Sequence, residues 1–311
     1  MSHDALSQIL ETLKLRGSVY FHTHFNPPWG VKVPSYRKVA RFHMAMRGDC
    51  WLRVDGVEEP IHLATGDLVV IPHGAAHILS DTRDRDSVSV DDVISQSGYS
   101  GEGALAFGGD DDGHACKLFC GHFDFQEEAM HPIHSALPSH IHIPNTTTMN
   151  VYWLESVLRF VSSEVLGGQA GSDAIIHRLT EIIFIQVIRS FVDHAGDAAG
   201  SLAGVLNPQL SQCLAKIHVE PEKPWTVESM ASEAGMSRTV FAERFTALMG
   251  MTPLGYLTNW RMQIARRRLI ETEHPLIQIA EQVGYGSEAA FNRAFKRHFE
   301  MAPGEMRRSA R

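Results

Sequence analysis

The sequence predicts an α+β multidomain protein: an N-terminal β-barrel followed by a helical pair, then an all-α domain with two helix-turn-helix units. Three observations carry this. Between residues 18 and 125, brief apolar or alternating runs are punctuated by turn residues. After residue 150, apolar residues recur at helical period. After residue 207, one pattern of short helix, glycine, capping serine and second helix occurs twice. At 311 residues the chain also exceeds the size at which single cores stop growing, about 250 residues, so more than one folding unit is expected.

The runs 39–46, 50–54, 61–63 and 68–71 read as strands, separated by Gly48-Asp49, Asp55-Gly56, Gly66-Asp67 and Pro72-His73-Gly74. Such spacing predicts a small barrel or jelly roll, assigned with its flanks to residues 1–150. Residues 98–113, rich in glycine and aspartate, read as a long polar loop with little reason to be ordered. Trp153, Leu154, Val157, Leu158 and Val161 form one helical face. Ile175, Ile176, Leu179, Ile182, Ile183, Val187 and Ile188 form a second, stronger one, and glycines in 167–171 break the chain between them. The result is an antiparallel pair over 151–194 that either covers the barrel or meets its copy in a homodimer. Residues 195–206, rich in glycine and alanine, read as a linker, which leaves 207–311 as the last domain.

Charge divides the chain in the same place. From Asn207 onward, 14 Lys+Arg against 11 Asp+Glu give +3, whereas the first 206 residues carry 14 against 25, or −11. This asymmetry suits a DNA-binding module attached to a different kind of domain. The four cysteines lack the spacing of a secreted scaffold and read as reduced thiols. No leader-like run precedes a cleavage site and no apolar stretch is long enough to span a bilayer, so a cytoplasmic protein without a membrane partner is expected.

In the last domain, residues 208–219 open with Leu210, Leu214 and Ile217 inward. Thr226 caps a short helix with Ser229 at its third position. Gly235 then makes the tight turn, and Ser237 caps a helix over 238–249. The same rhythm returns from Pro275 through Gly284 to Ser287 and a helix over 288–299. Phe241 and Phe245 in the first unit match Phe291 and Phe295 in the second. A helix over 253–272, about 30 Å long, joins the units and is commensurate with one turn of B-DNA, about 34 Å.

From the opening helix to Arg308, including Ile279, Ala280, Val283-Gly284-Tyr285, Phe291, Phe295-Lys296, Phe299 and Pro303, this region resembles the DNA-binding domain of the AraC family of bacterial transcription factors. The resemblance implies double-stranded promoter DNA as partner, contact with RNA polymerase, and base contacts on exposed positions of the two recognition helices. Those positions are Thr239, Ala242 and Glu243, with Arg238 nearby, and then Glu288, Ala289, Asn292 and Arg293, with Lys296 beyond. Arg293 has the geometry for guanine O6 and N7, Asn292 for adenine, and Glu243 and Glu288 for cytosine N4. The first helix is poorer in long donors, so the second is expected to carry more of the hydrogen-bonded specificity. Arg266 and Arg267 are the expected phosphate contacts on the joining helix.

The segment 66–77, with Pro72-His73-Gly74 and His77, resembles the second motif of the cupin superfamily, and 42–53 resembles the strand and turn of its first. Together with Cys120-Gly121-His122, this is similar to the cupin sensor domain of one branch of the AraC family, which includes regulators answering reactive chlorine or other oxidants. Metal-dependent cupins draw two histidines and a glutamate from before the glycine matching Gly48. This chain offers Ser35, Arg37 and Arg41 there. His43, His77 and Cys120 are the expected sensor site, with His22, His24 or His122 as further members. Imidazole and thiolate suit zinc or another transition metal. The alternative input at the same residues is oxidation of Cys120, should a histidine lower its pKa, or a small-molecule effector in a preformed pocket. Two other readings compete with a signal-responsive regulator: a metal-dependent cupin enzyme carrying a DNA-binding domain, and a ligand-independent architectural DNA binder.

Overall fold

The computed structural model describes residues 16–36, 39–101, 103–110, 112–124, 137–145, 169–195 and 201–309, with residues 6–7 and individual residues between 153 and 167. The chain divides into two compact units. One comprises Lys14–Glu128 with Leu137–Ala195, and the other contains Gly196–Arg311.

The first unit is a double sheet. Its strands are β1 (Arg16–Asn26), β2 (Gly30–Val33), β3 (Val39–Arg47), β4 (Cys50–Val54), β5 (Ile61–Leu63), β6 (Leu68–Ile71), β7 (His77–Ser80), β8 (Val88–Ser89), β9 (Ala104–Gly108), β10 (Lys117–Asp124) and β11 (Ile141–Ile143). One sheet runs β11-β6-β3-β10-β1-β9, the other β5-β4-β7-β2-β8. Alternation decides what each strand presents to the interior between the sheets. In β3 the odd residues Arg41, His43 and Ala45 look inward, and Phe42 and Met44 look outward. Both sets of β3 residues are nonetheless buried apart from Arg41, which means the outer face is covered too.

The cover is helix α2 (Ser172–Ala195), which packs on β1, β10 and β11. Phe42, Phe123 and Phe184 stack in sequence from sheet to helix, with centroids 4.9 and 5.0 Å apart. Gly121 of β10 is required here, because a Cβ would lie 2.3 Å from the Ser18 carbonyl and 2.3 Å from the Phe42 ring. Ile176, Ile183, Phe184, Val187 and Ile188 are buried on the inner face of α2, as the apolar periodicity predicts. Ile175 and Ile182 are not: they are 42% and 44% exposed, with half-buried Leu179 between them. The first helix of the expected pair falls mainly outside the described residues, although Val161 is buried.

Two expectations are corrected. Within 98–113, Ala104–Gly108 forms β9, parallel to His22–Asn26 of β1, and Leu105 is buried in the core. The glycine and aspartate content obscured an alternation only five residues long. A short helix, α1 (Val90–Ser97), precedes it, capped by Ser89 and ended by Gly98 in the left-handed conformation. The 195–206 segment is not wholly linker: Ser201–Leu206 is a helix, α3, with Leu202 and Val205 fully buried, and it packs against helices of the second unit. Alanine and glycine there reflect close helix packing, since a Cβ on Gly204 would meet Met249 Sδ at 2.6 Å.

The second unit continues with α4 (Pro208–Val219), α5 (Val227–Glu233), α6 (Arg238–Met249), α7 (Pro253–Glu271), α8 (Leu276–Gln282), α9 (Glu288–Phe299) and α10 (Pro303–Ser309). Cys213 is a buried residue of α4. No helix among the described residues is long and apolar enough to cross a membrane.

Phe184 is the side chain through which α2 reaches the aromatic stack. Phe184→Ala is expected to cost about 3–5 kcal/mol, measured as a lowered urea midpoint for the N-terminal unit. A loss below 1 kcal/mol would show that α2 does not stabilise the sheet.

Candidate functional site

Four polar side chains on adjacent strands form one wall inside the double sheet. The register pairs His43 with Cys120 and Arg41 with His122 across β3 and β10. From the opposite sheet, His77 at the start of β7 reaches in. His43 Nδ1 lies 3.2 Å from Cys120 Sγ, His43 Nε2 lies 2.8 Å from His77 Nε2, and His77 Nδ1 lies 2.9 Å from the Ala75 carbonyl. All three side chains are buried, at 2%, 2% and 4% exposure.

The proton positions follow from this chain. A carbonyl only accepts, so His77 carries its proton on Nδ1 and donates it to Ala75. Burial lowers the pKa of His77 to about 4 and holds His43 well below the usual imidazole range, so both rings are neutral at pH 7. His77 Nε2 is then an acceptor and His43 Nε2 the donor to it. His43 Nδ1 is left to accept, and Cys120 donates its S–H. Burial, reinforced by nearby Cys116, pushes the Cys120 thiol up, which keeps the proton on sulfur. The outcome is a one-directional, neutral relay from Cys120 through His43 and His77 to a backbone oxygen.

This arrangement brings together the three residues expected from sequence and corrects the chemistry expected of them. A tetrahedral ion bound at about 2.0 Å by two imidazoles would hold their nitrogens about 3.3 Å apart. Here His43 and His77 are in direct hydrogen-bond contact at 2.8 Å. Among the described residues, no group of three or more His, Cys, Asp or Glu side chains is placed to hold a metal. The zinc or transition-metal reading therefore does not fit these residues. Nor is the thiol acidified: burial and Cys116 raise its pKa, and the one opposing influence is the positive charge of Arg41. Cys50 lies against Cys116, and that contact together with burial holds its thiol well above the usual range.

Of the further candidates, His22 and His24 are excluded by alternation. Phe21, Thr23 and Phe25 line the interior, and the two histidines lie on the other face of β1, where Lys117 and His24 help to lower the His22 pKa after burial itself. His122 does line the interior, and its Nε2 donates to Asp124 Oδ2 at 2.9 Å. Beside the wall lies a cavity of about 260 Å³, otherwise lined mainly by apolar residues of β1, β2, β7, β9 and α1. The sequence reading missed it because α1 and β9, which close it, were not anticipated.

In the second unit, both helix-turn-helix units have the expected local chemistry. Thr226 and Ser229 form a reciprocal cap on α5, and Ser237 and Ser287 cap α6 and α9. Gly235 and Gly284 have φ of +64° and +79°; a Cβ on Gly284 would also lie 2.8 Å from the Glu222 carbonyl. Ala231, Ala280 and the four phenylalanines are buried beneath the helices. Arg238, Thr239 and Glu243 are exposed on α6, and Ala242 is half-buried. Arg238 Nε donates to Glu228 Oε1 at 2.6 Å. Glu288, Ala289, Arg293 and Lys296 are exposed on α9.

Two expected contacts need correction. Asn292 is half-buried and its Oδ1 is enclosed without a hydrogen-bond partner, whereas Arg293 is exposed. Arg266 is only 6% exposed, because it shares the inward stripe of α7 with Met262, Ala265 and Leu269. Its neighbour Arg267 is half-buried at the edge of that stripe.

The neutral relay makes a pH prediction with a definite sign. The folded-state pKa of His77 is about 4 against 6.5 for the free ring, so unfolded chains bind the extra proton. Stability is full above pH 6.5 and falls as pH drops toward 4, by about 3 kcal/mol from this group. In histidine-labelled NMR spectra, His43 and His77 ring signals are expected to stay fixed between pH 8 and 5.5. A midpoint near 6.5 for either would rule out the neutral relay.

Comparison with known proteins agrees with both units. A family model described as Cupin matches residues 4–193, and one described as Helix-turn-helix domain matches residues 230–309. The chain is 33% identical to the HTH-type transcriptional regulator AlkR of Acinetobacter baylyi over 99% of this chain and 100% of that one. It is 34% identical, over 98% of each chain, to a Streptomyces lividans protein described as an AraC-like transcription regulator. A crystal structure of a transcriptional regulator with an AraC-type DNA-binding domain from Chromobacterium violaceum covers 34% of this chain and 94% of its own at 26% identity, with a TM-score of 0.32. With a cupin domain ahead of two capped helix-turn-helix units and full-length relatives of the same organisation, the chain belongs to the AraC-like family of DNA-binding transcriptional regulators.

Proposed function

We propose that this regulator reads its operator mainly through α9, receives its signal inside the double sheet beside His43, His77 and Cys120, and works as a homodimer that contacts RNA polymerase. The observation that supports operator reading by α9 is its exposed face. Arg293, Lys296 and Arg297 project from a helix anchored by fully buried Phe291 and Phe295, so basic groups are held rigidly without being used for packing. On α6 the corresponding face carries Thr239, Ala242 and Glu243, with Arg238 engaged by Glu228, which leaves fewer donors for bases or phosphates.

The cavity supports a small-molecule input over a metal or a low-pKa thiol, because the relay beside it is neutral and fully hydrogen-bonded. An enzyme reading lacks an acid, base and nucleophile in one place, since the cysteine is held protonated. The stripe of Ile175, Leu179 and Ile182 on a flank of α2, beside its barrel-facing side, supports the homodimer. Pairing two such chains would place two DNA-binding domains on paired half-sites.

Arg293→Ala is expected to reduce discrimination at one or two base pairs by about 1–3 kcal/mol. Lys296→Ala and Arg267→Ala are expected to weaken binding to all duplexes and to lower the salt slope by about one each. Footprinting and titration on operator and random DNA separate these classes. Equal losses on both DNAs for Arg293→Ala would remove its base-reading role. For assembly, Ile182→Glu alters an exposed position and is expected to convert a sedimenting dimer to monomer; a wild-type chain that sediments as a monomer at micromolar concentration would exclude the dimer.

A further inference from the structure

The two recognition helices carry different chemistry on their outward faces, and the difference gives α6 its own way of reading DNA. The inference rests on both recognition helices facing base edges. On α9, Arg293, Lys296 and Arg297 are presented to solvent. On α6 both arginines are engaged within the unit: Arg238 Nε donates to Glu228 Oε1 at 2.6 Å, and Arg244 Nη1 donates to Gln209 Oε1 at 2.9 Å. What the first turn of α6 holds out instead is apolar. Val240 is 52% exposed, with exposed Thr239 beside it. Counted from the capping serines Ser237 and Ser287, the matching residue of α9 is Ala290, which is smaller and half-buried.

A single exposed valine is ordinary on a protein surface, but this one is placed and held for contact with bases. It stands in the N-terminal turn of a recognition helix, the part that meets base edges in helix-turn-helix proteins. Thr239 and Val240 lie four and three residues before exposed Glu243, so the three share one face, opposite fully buried Phe241 and Phe245. A carboxylate on that face is repelled by phosphates and accepts from base amino groups, which directs the face to base edges rather than to the backbone. Both Thr239 and Val240 are β-branched, and in a helix their χ1 is restricted. Their methyl groups are therefore positioned before DNA arrives and lose little freedom on contact. The turn that carries them is fixed by Ser237 Oγ, which accepts from the Val240 N–H at 3.4 Å.

Among the four bases, only thymine displays a methyl group in the major groove. We propose that the first turn of α6 selects thymine, with the methyl groups of Val240 and Thr239 packed against thymine C5-methyl groups, while α9 supplies the hydrogen-bonded reading. Val240 is then a specificity-determining residue beside Thr239. Each methyl contact is worth roughly three- to four-fold in affinity, the burial value of one methyl group.

The test uses the full-length protein and duplexes that it selects from a random-sequence pool. In the tightest selected duplex, each thymine is replaced in turn by deoxyuridine, which removes the C5-methyl and keeps every hydrogen-bonding group of the base. At one or two thymines the replacement is expected to weaken binding by roughly three-fold or more. Val240→Ala and Thr239→Ser should each bring that loss below about two-fold at one of these positions. Both positions are exposed and Val240 enters the cap only through its backbone, so both variants are expected to fold. If Val240→Ala does not, the deoxyuridine series on wild type and Thr239→Ser decides. Losses below about two-fold at every thymine would overturn the proposal. So would equal losses in wild type and both variants, which would move the methyl contact to α9, where Ala289 is exposed. Unchanged DNA selection by Val240→Ala, with transcriptional activation lost, would also overturn it and give the exposed valine to a protein partner. A pool that yields no preferred sequence with wild type rejects the base-reading role beneath the proposal, a result distinct from a preferred sequence indifferent to thymine methyl groups.

Discussion

The hydrogen bond between His43 and His77 ties the two sheets together at a point from which water is excluded. Two imidazoles buried at 2.8 Å are tolerable only when neither is charged and each nitrogen has a complementary partner, because an orphaned buried donor or acceptor costs about 1–3 kcal/mol. Each partner in turn needs its own. His77 requires the Ala75 carbonyl, which the turn at Pro72–Gly74 presents, and His43 requires a donor on its far side, which Cys120 supplies. A side chain changed anywhere along this line leaves its neighbour unpaired, so its members act as one unit.

That line constrains the register of the six-stranded sheet. A slip of one residue in β3 would exchange Arg41 and His43 for Phe42 and Met44, putting two apolar side chains on the polar wall and two polar ones under α2. The aromatic stack from Phe42 through Phe123 to Phe184 opposes the same slip from the other face. Gly121 allows β1 and β10 to approach closely enough for both arrangements to hold at once. The cavity is what remains when these packing demands are met: the wall is fixed by register, and the apolar side is closed by Leu105 and α1.

The DNA-binding unit was the most legible part of the chain because its signals are local. Caps at Thr226, Ser237 and Ser287, glycines at 235 and 284, and phenylalanines spaced four apart each act within one or two helical turns, so the sequence shows them directly. Burial of individual polar side chains was less legible. Arg266 and Arg267 are neighbours in a basic run, and only the phase of α7 against the rest of the unit places one inside and the other at the surface. The same applies to Asn292 and Arg293. In the first unit, motif resemblance located His43, His77 and Cys120, but residue type alone left metal binding, thiol oxidation and a small-molecule pocket open. What decides against the metal is the distance and direction between the rings, which is a property of two strands in different sheets and has no counterpart along the chain.

The strands that close the cavity were hidden for a related reason. β9 is five residues long and runs parallel to β1 from the far side of a glycine-rich segment, so neither its length nor its flanks distinguish it from a loop. Once it is in place, Leu105 adds an apolar side to the cavity beside β1. Its inner polar pair is saturated by the relay, and in its outer pair His122 already donates to Asp124. The hydrogen-bonding sense of that wall is therefore set by strand register and burial rather than by a change of protonation.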